Sequence, residues 1–472
     1  MSTSLLIKNP LFCVRMKEDA NSENVLDSFS GGHIYIKDNI IQSAGPDKFS
    51  GKADKVIDAS RMAVFPGFVN THHHFYQTLT RNIFSTQKTP LFDWLTTNYE
   101  IWRGIDGDAI DASTKVAVAE LLKTGCTTTS DHLYLFPNRA DTDLIDREIE
   151  AAREMGIRFQ PTRGSMSMGK SEGGLPPDDV IQTEDDIKKD TLRLIDKYHD
   201  DSPGAMTRIS LAPCSPFSVT PELMQETVEI ARQHNLQIHT HLAETEDENK
   251  FCLDKFNKRP FDLLNSLDWI IDRAWFAHAI HLNDDEIEQA GHAGVGTSHC
   301  PTSNMRLGSG IAKIKELLEA GVNVSLGVDG SASNDSSNML LEMRNAMLLS
   351  RLRDQDKWLS TEEILWMATM GGAKALGRND FGQIRPGKSA DLTMISMDRI
   401  EYSGAQHDPA GAIIFSAALE PVDYVIVNGK IVVEEGQIGD LDEQTLVKKH
   451  QRISDELVAH AEESMGKQLT RK

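Results

Sequence analysis

The sequence predicts a (β/α)8 barrel accompanied by a small β domain assembled from both ends of the chain. Three observations carry this. Between residues 65 and 380, eight short apolar runs that close on polar or ionisable residues alternate with amphipathic helical patterns. Before them, apolar runs separated by turns read as a β-meander, and after them the helical rhythm gives way to strands again. At 472 residues the chain is long enough for one large barrel and an appendage.

The opening strands fall at residues 5–14, 33–36, 40–44 and 56–57, which places residues 1–64 in the β domain. The barrel runs are 64–74, 126–132, 157–163, 208–214, 236–244, 275–281, 295–304 and 322–329. Between them lie helices such as 311–320, where Ile311, Ile314, Leu317 and Leu318 share one face and Gly321 supplies the stop. In such a barrel, catalytic groups sit at the carboxyl ends of the strands, which is where the His, Asp, Arg and Glu residues of these runs fall. Helices around 361–376 complete the barrel, residues 65–380. Strands return at 391–395, 424–427 and 430–433, with Asn428-Gly429 as a hairpin turn, so residues 381–440 join the β domain. Residues 441–472 read as a charged, peripheral helix.

The chain is acidic, with 71 Asp and Glu against 49 Lys and Arg and a net charge of −22. Nucleic acid polymers are therefore not expected as partners, because their phosphates demand clustered cations. No run reaches the ~18–20 apolar residues of a membrane span, and residues 1–14 lack the basic start and cleavage site of a signal peptide. A soluble, cytoplasmic protein is expected. The five cysteines, Cys13, Cys126, Cys214, Cys252 and Cys300, are odd in number, scattered and never in Cys-x-x-Cys spacing, so reduced packing thiols are expected. Cys300 follows His299, which leaves a nucleophile's role open beside the commoner one of a buried small hydrophobe.

Thr71-His72-His73-His74 closes the first barrel run. Period-two alternation points His72 and His74 to one side and His73 to the other. Two convergent imidazoles suit a metal; three histidines in a row also suit a surface or fold-stabilising cluster, and the strand-end position favours the metal. The fifth run ends His239-Thr240-His241-Leu242-Ala243-Glu244, and the sixth holds His278 and His281. Imidazole nitrogen and carboxylate oxygen are ligand types that zinc takes. The eighth run ends Gly327-Val328-Asp329-Gly330, where a lone Asp between glycines is by itself turn chemistry. Histidines on strands one, five and six favour its membership of the same site.

These stretches resemble a known family. Pro66-Gly67-Phe68-Val69-Asn70-Thr71-His72-His73-His74, His239-Thr240-His241-Leu242-Ala243-Glu244-Thr245, Ala277-His278 and Leu326-Gly327-Val328-Asp329-Gly330 look, in that order, like the amidohydrolase superfamily. The branch is that of cytosine deaminases and triazine hydrolases. The resemblance implies a distorted barrel with a flanking β-sandwich, a homodimer, and a divalent ion, zinc or iron, bound by His72, His74, His241 and Asp329. It implies further that Glu244 and His278 handle protons and orient a water, and that Asp329 accepts the water's proton. Binuclear relatives bridge two metals with a modified lysine at the end of strand four. Here that strand reads Ile209-Ser210-Leu211-Ala212-Pro213-Cys214, without lysine, so one metal is expected.

Gly382-Gln383-Ile384-Arg385-Pro386-Gly387-Lys388-Ser389 fits the phosphate-loop pattern letter by letter. Such a loop must open a helix, whereas this one leads into an apolar strand pattern from Ala390 to Ile395. Pro213-Cys214-Ser215-Pro216 has only one of the two closely spaced cysteines of the other zinc-deaminase class.

Within the branch, His73-His74-Phe75-Tyr76-Gln77-Thr78-Leu79-Thr80-Arg81, Ser130-Asp131-His132-Leu133-Tyr134, Arg163-Gly164-Ser165-Met166-Ser167 and residues 298–307 are most similar to 8-oxoguanine deaminases. Hydroxyatrazine hydrolases and isoxanthopterin deaminases share parts of them. The implied reaction is hydrolytic deamination of a purine-like heterocycle, 8-oxoguanine to urate and ammonia, with pterin deamination or triazine aminohydrolysis as alternatives. A metal-free scaffold protein is the remaining alternative, disfavoured because every ligand position is filled. An oxidised purine presents carbonyls and ring N–H groups, so Gln77 and Arg163 are candidates to read them. Either also fits a structural hydrogen-bonding residue. Trp94 is the candidate to cover the ring face, although a buried helix aromatic is the commoner reading.

Overall fold

The computed structural model describes residues 3–17, 24–140, 143–417 and 419–471. Eight parallel strands close into a barrel: β1 (Phe68–Asn70), β2 (Cys126–Leu133), β3 (Arg158–Ser165), β4 (Ser210–Pro213), β5 (Ile238–Leu242), β6 (Ala274–His278), β7 (Gly296–His299) and β8 (Asn323–Leu326). Each falls on one of the expected runs. Helices cover the outside, which is why the strands are buried almost throughout and read as continuous apolar or small-residue runs. Closure is uneven. Strands β2 and β3 pair from Arg158 to Arg163, whereas β4 meets β5 only at Leu211 and Ile238, and β8 meets β1 only at Leu326 and Asn70.

Local signals set the helices. Helix Asp284–Ala293 opens on a capping box between Asn283 and Glu286 and stops at Gly294 in the left-handed region. The helix expected over 311–320 is shorter, Ile314–Glu319, and buries Ile314, Leu317 and Leu318.

Two expected strands divide. The run 5–14 breaks at Asn9, whose φ is 56°, and Pro10. Ser4–Lys8 joins a four-stranded sheet with His33–Lys37, Ile40–Gly45 and Lys55–Asp58, while Phe12–Val14 enters a seven-stranded sheet. The run 64–74 breaks at Gly67. Met62–Pro66 lies in the seven-stranded sheet, pairing parallel with Phe12–Val14 and antiparallel with Leu392–Ser396 from the other end of the chain. A Cβ on Gly67 would lie 2.2 Å from the Thr127 side chain, so only glycine passes from sandwich to barrel here. Ile7 and Ile36 from one sheet and Cys13, Val64, Leu392 and Ile426 from the other share the sandwich core. Asn428 and Gly429, with φ of 48° and 80°, form the expected hairpin between Tyr424–Val427 and Lys430–Glu434. The phosphate-loop lookalike leads into strand Leu392–Ser396 and opens no helix.

Helix Glu443–Met465 lies outside the barrel and buries Ile453, Leu457, Val458 and Ala461 against helices Leu91–Trp102 and Gly107–Lys123. The five cysteines are buried and free. Burial pushes the Cys300 thiol well above its usual range, which suits packing rather than nucleophilic chemistry. Among the described residues, no helix is long and apolar enough to cross a membrane.

One buried ion pair joins barrel to sandwich. Arg158, at the start of β3, donates to Asp391 Oδ2 at 2.8 Å and to the carbonyls of Gly204 and Ala205, and both ionic side chains are 1% exposed. Asp391 Oδ1 accepts from the Asn428 backbone at 3.1 Å. Replacing Arg158 by Met strands a buried carboxylate, so we expect a loss of about 3–5 kcal/mol, measured as a lowered Tm with the metal ligands untouched.

Candidate metal centre and active site

Beyond Asn70 the chain stays paired with both neighbours of β1. Thr71 N–H donates to the Leu326 carbonyl, His132 N–H to that of His73, and Asp329 N–H to that of His72. His72 and His74 turn inward, and His73 faces away, 2.9 Å from Ser337 Oγ. His241 arrives from β5, and Asp329 lies just beyond β8. The Nε2 atoms of His72 and His74 each lie 3.4 Å from Asp329 Oδ1, and His74 Nε2 is 3.2 Å from His241 Nε2. All four side chains are buried.

The hydrogen-bond network assigns the ring protons. A carbonyl can only accept, so His74 Nδ1, 2.8 Å from the His132 carbonyl, and His241 Nδ1, 2.6 Å from that of Cys214, both carry hydrogen. Their Nε2 atoms therefore hold lone pairs. His239 Nδ1 donates to the Trp275 carbonyl at 2.8 Å, which leaves His239 Nε2 to accept from His72 Nδ1 at 2.8 Å. His72 Nε2 is thus a third lone pair, and it is buried without a hydrogen-bond partner. Two nitrogen lone pairs 3.2 Å apart cannot bond each other. Burial, assisted by neighbouring imidazoles, holds all three rings below the usual histidine range, His241 at about 3, so they are neutral. Asp329 is held well below the usual carboxylate range: burial pushes it up, but His72, His278 and His74 outweigh burial. Three neutral nitrogens and one carboxylate oxygen fit a divalent ion.

His278 and Glu244 stand beside these residues. His278 ends β6; its Nδ1 donates to Asn304 Oδ1 at 3.0 Å, and its Nε2 lies 3.5 Å from Glu244 Oε2 and 4.0 Å from Asp329 Oδ2. Burial pushes the Glu244 carboxyl up, while Ser309 Oγ donates to its Oε1 at 3.2 Å. Burial acts to lower His278, but Glu244 and Asp329 beside it raise it overall. Glu248 orients the acid, accepting from the backbone amides of Ala243 and Glu244 at 2.9 Å each. His278 and Asp329 have φ of 71° and 63°, a conformation that stores about 1–3 kcal/mol per residue.

These groups share a cavity of about 400 Å³, whose walls include Gln77, Trp94, Tyr134, Cys214 and Ser333. Gln77 and Trp94 stand where the sequence reading puts them. Arg163 does not. Its side chain points to the helix layer, where Nε donates to Asp190 at 2.8 Å, Nη2 donates to Gln182 at 2.9 Å, and the guanidinium packs 4.4 Å from the centre of the Phe136 ring. It is a structural cation, not a cavity residue. Sequence reasoning missed His239 and His132. His239 repeats the His-x-His spacing of His72 and His74, a signal that was available; His132 closes β2, stacks on His241 with ring centres 5.0 Å apart, and supplies the carbonyl that fixes His74.

The model of the Amidohydrolase family matches residues 63–432. The chain belongs to the amidohydrolase family. It is 45% identical to the 8-oxoguanine deaminase of Pseudomonas aeruginosa, over 96% of this chain and 99% of that one. It is 35% identical to the hydroxydechloroatrazine ethylaminohydrolase of Pseudomonas sp. strain ADP, over 89% and 90%. Among solved structures, the atrazine chlorohydrolase of Arthrobacter aurescens TC1 complexed with zinc superposes with a TM-score of 0.90 at 32% identity, over 95% of this chain and 100% of that one.

Two substitutions test these placements. His239→Ala frees the far side of His72, and chelator competition should show about 10–100-fold weaker metal binding. Arg163→Met should lower Tm while leaving KM unchanged; a raised KM at unchanged Tm would return Arg163 to the cavity.

Proposed function

We propose that the chain is a metal-dependent hydrolytic deaminase that converts 8-oxoguanine to urate and ammonia with one zinc ion. The observation that carries this reading is the pair of polar atoms on the cavity wall. Gln77 Oε1, an acceptor, and Trp94 Nε1, a donor, are both buried there without partners. An oxidised purine offers ring N–H groups to the first and carbonyls to the second. The 45% identity to an 8-oxoguanine deaminase along nearly the whole of both chains supports the same substrate. Zinc is supported by the zinc complex of the structural relative.

His72, His74, His241 and Asp329 would hold the ion, which when bound would supply the Lewis acidity that makes a water nucleophilic near neutral pH. Asp329 takes the water's proton on Oδ2, the oxygen that faces His278. Glu244, whose carboxyl burial pushes up so that it holds a proton more readily, gives a proton to the ring nitrogen beside the carbon that bears the amino group. His278 holds the attacking oxygen through Nε2 and stabilises the charge that develops on it. Return of the proton from Asp329 to the amino group lets ammonia leave as the hydroxyl on the tetrahedral carbon becomes a carbonyl, and the proton that hydroxyl gives up restores Glu244.

Ammonia release from 8-oxoguanine, guanine, isoxanthopterin and cytosine, and alkylamine release from hydroxyatrazine, test the substrate. The expected result is the highest kcat/KM for 8-oxoguanine, with urate as product. Robust turnover of another panel member with none of 8-oxoguanine would refute the assignment. Glu244→Gln should lower kcat by about 10²–10⁴ with metal content unchanged.

A further inference from the structure

We propose that the C-terminal helix and tail, residues 443–471, position the substrate wall of the cavity, acting through His450 and Ser454. The inference rests on the reading of Gln77 as a substrate contact.

Directly after the ligand His74, the chain enters the short 3-10 turn Phe75–Thr80, which carries Gln77 and is buried throughout. The turn is closed internally by two side chains: Thr78 Oγ1 donates to the Phe75 carbonyl at 2.9 Å, and Thr80 Oγ1 to that of Gln77 at 3.2 Å. Neither bond fixes the turn relative to the barrel. Asp131 holds its start, accepting from Phe75 N–H at 2.6 Å. The C-terminal helix holds its middle and end. With the Thr78 hydroxyl hydrogen committed to Phe75, His450 Nε2 is the donor to Thr78 Oγ1 at 2.9 Å. Ser454 Oγ donates to the Leu79 carbonyl at 2.6 Å. His450 and Ser454 are four residues apart, so one helix face presents both.

That helix is itself anchored. Lys449 pairs with Asp111 at 2.9 Å, and Glu443 with Lys123 at 2.6 Å, both on helix Gly107–Lys123. Past Gly466, Glu462 Oε1 accepts from Leu469 N, Thr470 N and Thr470 Oγ1 and folds the tail back. The Leu469 carbonyl then accepts from Ser85 N–H at 3.1 Å, and the Arg471 guanidinium lies 4.3 Å from the centre of the Phe84 ring. Segment 75–86 is therefore gripped at Thr78 and Leu79 and again at Phe84 and Ser85 by the last thirty or so residues of the chain. From the other side, Trp102 Nε1 donates to Thr80 Oγ1 at 2.9 Å, and its helix also carries Trp94 and Tyr99 into the cavity. Three cavity side chains thus take their position from a wall that the C-terminus braces. The metal ligands take theirs from barrel strands, so the two sets are separable.

The test uses full-length His450→Ala/Ser454→Ala, Ser454→Ala alone, and His450→Gln/Ser454→Ala. Gln restores an N–H donor toward Thr78. KM and kcat are measured with whichever panel compound the parent enzyme turns over best, together with metal content, Tm and hydrogen–deuterium exchange of peptides spanning 75–86. The expected result for the double alanine variant is a KM raised about tenfold, kcat within about twofold, unchanged metal content and faster exchange confined to 75–86. His450→Gln should recover part of the KM. Unchanged KM and exchange in either alanine variant would overturn the proposal. So would a KM increase that tracks a loss of metal and of Tm, since that marks a general structural strut. Exchange requires no substrate, so failure of 8-oxoguanine to react would count against the proposed function and leave this result readable.

Discussion

The site depends on hydrogen bonds made on the far side of each imidazole. His74 is aimed by a carbonyl at the end of β2, His241 by a carbonyl just past β4, and His72 by His239 of β5, itself fixed by a carbonyl of β6. None of the three imidazoles is oriented by its own strand, whereas Asp329 is held by its own loop, accepting from Gly330 N–H at 2.6 Å and Ser333 Oγ at 3.2 Å. The donor set therefore exists only once the barrel is closed and in register, which ties binding of the ion to completion of the fold. The same dependence accounts for the uneven closure. Where β4 and β5 lose ladder pairing, the Cys214 carbonyl instead receives His241 N–H, His241 Nδ1–H and the Thr240 hydroxyl. Where β8 and β1 part, Asn70 Oδ1 accepts from Val328 N–H and the Leu326 carbonyl from the Thr71 hydroxyl. The seams are the places where ladder bonds have been exchanged for bonds that aim ligands.

Two carboxyls of the site are driven apart by their neighbours. Glu244 and Asp329 both flank His278 and both lie away from water, yet one is pushed up and the other held down. Asp329 has His72, His74 and His278 around it and accepts from Gly330 N–H at 2.6 Å, whereas Glu244 has one imidazole at 3.5 Å and is pushed up further by Asp329 itself. Two titratable groups driven apart in one cavity are the arrangement that the proposed acid and base roles require. The left-handed backbone at Asp329 and His278 is consistent with this, because strain persists only where surrounding bonds over-determine the conformation.

Much of this was legible in the sequence, for a definable reason. Period-two alternation decides which side of a strand a residue faces, and a chemical break at the end of an apolar run marks the barrel mouth; together these pointed His72 and His74 to one side and put His241 and Asp329 at strand ends, while the resemblance to the family joined the four into one ligand set. Alternation counts faces without naming what lies behind them. Arg163 closes β3 much as His74 extends β1, but it sits in register with Leu133 and Leu211 on the helix-facing side, and only the partner strands reveal that. The breaks at Asn9-Pro10 and Gly67 escaped because both flanking segments are buried strands, so the apolar run crosses from one sheet to another without a change in pattern. The stripe Ile453, Leu457, Val458 and Ala461 reads as the inner face of an amphipathic helix, while its target, a turn some 370 positions earlier at Thr78 and Leu79, has no local trace.

The absence of Arg163 from the cavity also narrows the chemistry. Among the described residues that line the site, none is a lysine or arginine. Asp329 would offset half the charge of a divalent ion, and the wall beyond the ligands offers an indole N–H, a carboxamide, hydroxyls, a thiol and apolar rings. A carboxylate or phosphate held against this wall, away from the ion, would meet no side-chain cation to replace its hydration, at a penalty of several kcal/mol. A neutral heterocycle whose polarity is confined to ring N–H and C=O groups meets matching partners instead, and failure to pair any one of them leaves a buried polar atom unsatisfied. Discrimination in such a site comes from that mismatch rather than from charge, as hydrogen-bonding pockets reject analogues lacking one group more strongly than apolar pockets reject an added one.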